Sequence, residues 1–324
     1  MRHSVLTAIL GSSLLALAAC GNPPDSDTET ETATDSAPRG EAGIGDEAAT
    51  DSAAAPDAQA TDLSDLSNVL AGGWRGEGAE RDAWRHPAET LDFFGIDPSS
   101  TIVEIWPGGG WYTDVLAPWI AANDGTYIAA HFPATSPSEY RQRSRTAFMQ
   151  RVSDTDVYGD VTMAEFSMEQ GLSVADGSAD AVLTFRNIHN WMASSYAERA
   201  FAEFYDALRP GGILGVVEHR LPSTREQDPM AGSGYVQQDY VIAMAAEAGF
   251  EFVEASEINA NPADTSDHPL GVWTLPPVRR SPAEGDEGYE DFDRAHYDAI
   301  GESDRMTLLF RKPETAEGTQ AEEE

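Results

Sequence analysis

The chain has 324 residues and carries 56 acidic against 20 basic side chains, a formal net charge of −36. That charge argues against nucleic acid or an anionic lipid surface as the main partner. The one cysteine, Cys20, excludes a disulfide within the chain and any cysteine metal site.

Met1-Arg2-His3 is a short positive opening, and residues 4–17 are almost wholly apolar or small. This core is too short to span a bilayer as a helix but suits a signal peptide. It ends in Leu17-Ala18-Ala19-Cys20, which resembles the lipobox of bacterial lipoproteins. The resemblance implies a signal peptide over 1–19, cleavage before Cys20 and acylation of its thiol. Such a protein stands outside the cytoplasm, anchored on the periplasmic side of a bacterial membrane, with the outer membrane the expected one. Residues 21–69 hold 12 acidic residues and one basic, Arg39, with hardly any aliphatic side chains before Leu63. Such a segment cannot bury enough apolar surface to offset the entropy of ordering it, so residues 20–69 read as an acidic tether. The tail Pro313–Glu324 has the same character. Between them, 70–312 is long enough for one large domain with its own core.

Within that domain Arg81 and Arg85 stand four apart, on one face of an expected helix with His86 beside them. They are candidates to hold a substrate carboxylate or phosphate, the alternative being an Arg85–Glu89 pair. Thr101–Trp106 is β-branched and apolar and follows the turn signal Asp97-Pro98-Ser99-Ser100, so it reads as a buried parallel strand. Gly108, Gly109 and Gly110 follow at once, and then Trp111–Ala117 reads as the start of a helix. Strand, glycine loop and helix bring a ligand close to bare backbone amides. Further strands are expected at 125–130, 179–185 and 212–218, with helical stretches such as Tyr196–Leu208 between them. This alternation predicts an α/β fold with a doubly wound, mostly parallel sheet. The arginines Arg141, Arg143, Arg145 and Arg151 read as a solvated helix face. The Pro-, Gly- and acid-rich run 259–303, with Trp273, Tyr289, Phe292 and Tyr297 in it, reads as a lid over a pocket.

Five segments, in order, resemble class I S-adenosylmethionine-dependent methyltransferases over most of 80–312. EIWPGGGWYT (Glu104–Thr113) resembles the glycine-rich first motif, ADGSADAVLTF the fourth-strand region, and LRPGGILGVVEHR (Leu208–Arg220) the turn into the fifth strand. Tyr240–Phe252 resembles the later helix ending in AGF, and SDRMTLLFRKP (Ser303–Pro313) the closing antiparallel strand. RHPAETLDFFG (Arg85–Gly95), together with the WPGGGWYT loop, is similar to a group of secreted predicted methyltransferases. The resemblance implies a seven-stranded sheet whose last strand, near Met306–Phe310, runs antiparallel between strands at 213–218 and 251–255. S-adenosylmethionine is the implied cofactor, held by Glu104, Gly108, Gly109, Gly110, His131 and Asn187. Two positions depart from the pattern: Trp106 replaces the loop's first glycine, and His131 stands where a ribose-binding carboxylate is usual.

Ligand sites of doubly wound sheets lie beyond the carboxyl ends of the strands. Those ends carry Glu104, His131, Asn187, His189, Asn190, Glu218, His219 and Arg220, so a shared cavity is expected there. His189 or His219 would serve as base toward a hydroxyl acceptor, with Glu218 in the catalytic set. Asn190, Arg220, Arg81, Arg85 and His86 would meet a small or medium acceptor. A zinc-type site from the histidines is possible, but no local ligand spacing supports it, and no resident metal is expected. No G-x-S-x-G elbow, Walker loop or third dinucleotide-binding glycine is present. The alternative to methyl transfer is a non-catalytic lipoprotein using the same fold as a ligand-binding module.

Overall fold

A computed structural model describes residues 61–286 and 288–314. The signal segment, Cys20, most of the tether and the end of the acidic tail lie outside the described residues. The fold begins earlier than composition suggests. Leu66–Leu70 forms a short helix (α1) capped by the Asp65 carboxylate, which accepts from Ser67 N at 2.8 Å. Val69 is buried in the core, so residues 62–69 belong to the domain and not to the tether.

Arg81, Arg85 and His86 do not share one helix. Residues Gly73–Arg81 form a tight 3-10 stretch, α2 covers Asp82–Arg85, and His86 breaks the helix at φ +40° before α3 (Pro87–Phe94). Pro87 suits the first turn of α3 and Gly95 closes it in a left-handed conformation.

The sheet is built from β1 (Thr101–Ile105), β2 (Thr126–His131), β3 (Thr162–Ser167), β5 (Ala179–Phe185), β6 (Leu208–Leu221), β8 (Glu251–Ser256) and β9 (Arg305–Arg311). Two two-residue strands, β4 (Gly171–Leu172) and β7 (Val236–Gln237), bring the total to nine. The order is β4-β3-β2-β1-β5-β6-β9-β8, with β7 paired to β6. β1, β2, β3, β5 and β6 run parallel; β9 lies antiparallel between β6 and β8, as expected, with Val216 opposite Leu308 and Ala255 opposite Leu308. Strand β3 lies outside the strands expected from sequence: TMAEFS is neither a continuous apolar run nor a strict alternation, and only Ala164, Phe166 and Ser167 in it are buried.

Helices cover both faces. On one side α8 (Ala197–Ala207) buries Ala197, Ala200, Phe201, Phe204 and Ala207, a stripe at three- and four-residue spacing. With Phe166, Trp191 and Leu214 it forms one core cluster, while α3 and α4 (Thr113–Ala122) pack Leu91, Phe94, Val115 and Ile120 on the other face. The strand order reverses direction between β1 and β5, so their carboxyl ends open a crevice there. No helix among the described residues is long and apolar enough to cross a membrane.

Candidate active site

The glycine loop leaves β1 through Trp106, which adopts φ +45°, a left-handed conformation that costs a bulky residue energy. Packing holds it there. Its indole lies 5.0 Å from Phe132, 5.5 Å from Phe166 and 5.8 Å from Trp191, and donates to the Phe166 carbonyl at 3.0 Å. The ring is therefore folded down onto the core and not over the loop. Gly108 and Gly109 are exposed, and a Cβ at Gly108 (φ +58°) would meet nothing within 4 Å. Gly110 is buried: a Cβ there would come within 2.8 Å of Arg151 Cδ. Asn187 ties the loop to the neighbouring strand by donating to the Ile105 carbonyl at 2.9 Å.

Glu104 is buried. It accepts from Tyr127 Oη at 2.5 Å and Thr113 Oγ1 at 3.0 Å, tying β1 to β2 and to the start of α4. Burial pushes its carboxyl up to about 7, against those two hydrogen bonds. His131 is likewise enclosed, its ring 5.1 Å from both Phe132 and Phe148. Nδ1 accepts from Phe132 N at 2.7 Å, and the buried Nε2, lying toward the Gly108 carbonyl, makes no hydrogen bond of good geometry. Burial lowers its pKa to about 4, so the ring is neutral at physiological pH.

Phe148 and Arg151 reach these residues from α5 (Glu139–Arg151), whose arginines are not simply a solvated face. Arg151 pairs with buried Asp114 at 2.5 Å, Arg145 donates to the Phe132 carbonyl at 2.9 Å, and Arg141 lies over the Phe132 ring. Of the four, Arg143 meets the expectation, exposed and paired only with Glu139 one turn away.

On the other side of the crevice the histidines do converge. His189, in α7 (Ile188–Ala193), and His219, near the end of β6, lie with ring centroids 5.4 Å apart. Glu218 sits between them with no solvent exposure. Its Oε1 faces His189 Nδ1 at 3.0 Å and accepts from His219 N at 2.8 Å, while Oε2 accepts from Ile188 N at 2.6 Å. A carboxylate so placed holds the proton of His189 on Nδ1 and leaves the Nε2 lone pair for chemistry. His219 Nδ1 faces Ser303 Oγ at 2.5 Å. Its pKa is held far below the usual histidine value, first by burial and then by its neighbours His189, Arg186 and Arg305. Trp273, from the Pro- and acid-rich excursion, stands 6.1 Å from His189, and Tyr235 stands 6.1 Å from His219. One cavity shared by Glu104, His131, His189 and His219 was expected. The structure splits them into an enclosed pair on the β1–β2 side and a histidine pair on the β5–β6 side.

The expected substrate-binding residues fare differently. Arg81 and Arg85 pair with Glu302, at 2.7 and 2.9 Å, and not with Glu89. Arg220 is clamped by Asp304 and Glu257 at 2.7–2.9 Å, so its fork is already filled by its own chain. Asn190 and His86 are half-buried, the first within α7 beside His189 and the second between α2 and α3. His189, Glu218 and His219 present donor atoms within 4.8 Å of one another, a spacing from which a metal ion can be held. His131 has no part in that trio. Sequence reasoning missed Arg186, at φ +63° on the carboxyl end of β5, together with Glu302 and Ser303. Only the arginine's position after a strand could have flagged it.

Residues 103–216, about a third of the chain, match the family model described as "Methyltransferase domain". No curated protein matches in sequence. Among solved structures the chain is similar to a SAM dependent methyltransferase from Aquifex aeolicus, at 16% identity and TM-score 0.45, covering 60% of this chain and 93% of that one. It is also similar to a putative methyltransferase from Bacillus halodurans (16%, TM-score 0.45, covering 71% and 99%). A third is a putative sarcosine dimethylglycine methyltransferase from Galdieria sulphuraria (12%, TM-score 0.48, covering 73% and 88%). The segment that matches the methyltransferase-domain model runs from β1 into β6, and β9 lies antiparallel beyond it in an otherwise doubly wound sheet.

Proposed function

We propose that the domain transfers a methyl group from S-adenosylmethionine to a nucleophile on a small or medium acceptor, with His189 as the base. The observation that carries this is the His189–Glu218 dyad between α7 and the end of β6, together with an exposed glycine loop after β1 whose backbone is free to meet a ligand. The fit to the cofactor is best at Gly108 and Gly109, where bare backbone lies open. At the end of β2 it requires the orphaned Nε2 of His131, which a ligand hydroxyl would satisfy once Phe148 gives way.

When bound, the sulfonium supplies an electrophilic methyl carbon, and displacement asks the protein mainly for alignment of donor and acceptor. Residues of this chain would provide that alignment. Asn187 fixes the loop against β5, so the backbone of 108–110 keeps one position. Glu218 is a positioning residue that orients His189. The Nε2 of His189 takes the proton of the acceptor hydroxyl or amine. His219, kept neutral, offers a hydrogen bond without adding a second positive charge. Trp273 and Tyr235 wall the site and exclude water. Outside the described residues, the proposal includes acylation of Cys20 and display of the domain on the far side of the cytoplasmic membrane.

Calorimetric titration of the full chain with S-adenosylmethionine and S-adenosylhomocysteine tests the cofactor. Saturable binding is expected, and Gly108→Val should weaken it at least tenfold, since a branched side chain would stand where a ligand meets the backbone. Equal affinity in Gly108→Val, or no binding to the wild-type chain, refutes the proposal.

A further inference from the structure

In a chain with 56 acidic and 20 basic residues, three arginines gather around a single carboxylate, Glu302, and one of them, Arg305, lies opposite His219 in the β6–β9 pair. Glu302 accepts from Arg81 at 2.7 Å, from Arg85 at 2.9 Å and from Arg305 at 3.1 Å. Arg85 and Arg305 are each 2% exposed. The Nη2 atoms of both Arg81 and Arg85 are buried without a hydrogen-bond partner. One carboxylate cannot satisfy three guanidinium forks, so the cluster keeps an uncompensated positive charge in a poorly solvated place.

Arg186 adds the fourth charge, and among the described residues it makes no salt bridge or side-chain hydrogen bond. Its backbone is pinned, with N donating to the Val217 carbonyl at 2.7 Å and φ at +63°. Phe185, just before it, stacks on Tyr112 with centroids 3.5 Å apart, and Tyr112 Oη donates to the Arg85 carbonyl at 3.3 Å. His219 faces Arg305 across the β6–β9 pair. The guanidinium of Arg186 therefore acts on Tyr112, His219 and Arg305 alike. Strained non-glycine conformations cluster at functional sites, and Arg186 is half-buried in one with no charge partner among the described residues.

We propose that Arg186, backed by the Arg81–Arg85–Arg305 cluster, binds an anionic group of the acceptor, a carboxylate or a phosphate, beside His189 and His219. This rests on the methyl-transfer reading only for the word acceptor; the anion site itself needs no cofactor. The function follows from the geometry. An anion anchored on Arg186 would fix one end of the acceptor and leave its nucleophile to the His189 base.

The test is a titration of the full chain, with ring-labelled histidine, by sodium phosphate and by sodium acetate against sodium chloride at matched ionic strength. Side-chain resonances of His189 and His219 are assigned from His189→Gln and His219→Gln. Saturable shifts of both rings with phosphate or with acetate, absent with chloride, are expected, and the anion that saturates names the acceptor's charged group. Arg186→Gln should weaken that binding at least tenfold, whereas Arg186→Lys, which keeps the charge, should lose less. Thermal melts of both variants establish that they are folded. Shifts that follow ionic strength alone, or that are unchanged in folded Arg186→Gln, overturn the proposal. If the anion binds while S-adenosylmethionine does not, the methyl-transfer reading fails and the anion site stands.

Discussion

Glu104 makes the sharpest quantitative prediction, because its environment opposes its charge. The carboxyl is 2% exposed and its pKa rises from 4.5 to about 7 on folding, with burial as the main cause. At about 1.4 kcal/mol per unit, this is a pH-dependent contribution of about 3 kcal/mol. The folded state holds the proton more tightly than the unfolded chain. The contribution is therefore fully present below pH 4.5 and is lost as pH rises through 7. Glu104→Gln removes the titration while keeping a carbonyl that can accept from Tyr127 and Thr113. Urea unfolding of both proteins at several values between pH 4.5 and 8 should show the difference between them moving by about 3 kcal/mol in the variant's favour as pH rises. A difference that stays constant within about 0.5 kcal/mol would mean that Glu104 titrates normally and that the buried network is wrongly described.

His131 predicts the opposite slope. Burial depresses its pKa from 6.5 to about 4, so the stability it confers is present above pH 6.5 and is lost as pH falls through 4. The wild type's advantage over His131→Gln should shrink by about 3 kcal/mol across that window in the same unfolding assay, and a widening gap would refute it. Cys20→Ser should release the full chain from the membrane fraction, because anchoring is assigned to the acyl chains; a variant that still pellets after a carbonate wash contradicts the anchor.

Much of the fold was legible because its signals are local. The run from Thr101 through Gly110 announces strand and loop, and the alternation that follows has few other solutions. His189 and His219 could be placed at one sheet edge because topology fixes where strands end. What stayed hidden depends on partners far away in sequence. Arg85 finds Glu302 some 217 positions on, and no spacing rule links them. His131 was expected in the crevice with the other histidines, but residues of α5 seal it, and a residue at a strand end can be covered by whatever helix follows. The tether's boundary failed for a related reason. Leu63, Leu66 and Val69 look sparse in an acidic run, yet three apolar side chains suffice when a groove beside α4 awaits them.

The charge around the histidines also decides between two uses of the same trio. His189, Glu218 and His219 are close enough for a metal ion, but both Glu218 oxygens already accept backbone N–H groups and Oε1 faces His189 as well. Recruiting that carboxylate to a cation would strip three satisfied contacts in a buried place. Arg186 and Arg305 oppose a proton on His219, and they would oppose a dication at the same spot more strongly, since the repulsion scales with charge. The same field favours an anion, and it keeps His219 neutral. Under the proposed function, the arginine anchor holds the anionic acceptor while His189 takes the proton of its nucleophile. On these electrostatic grounds the trio is better suited to moving a proton than to holding a metal.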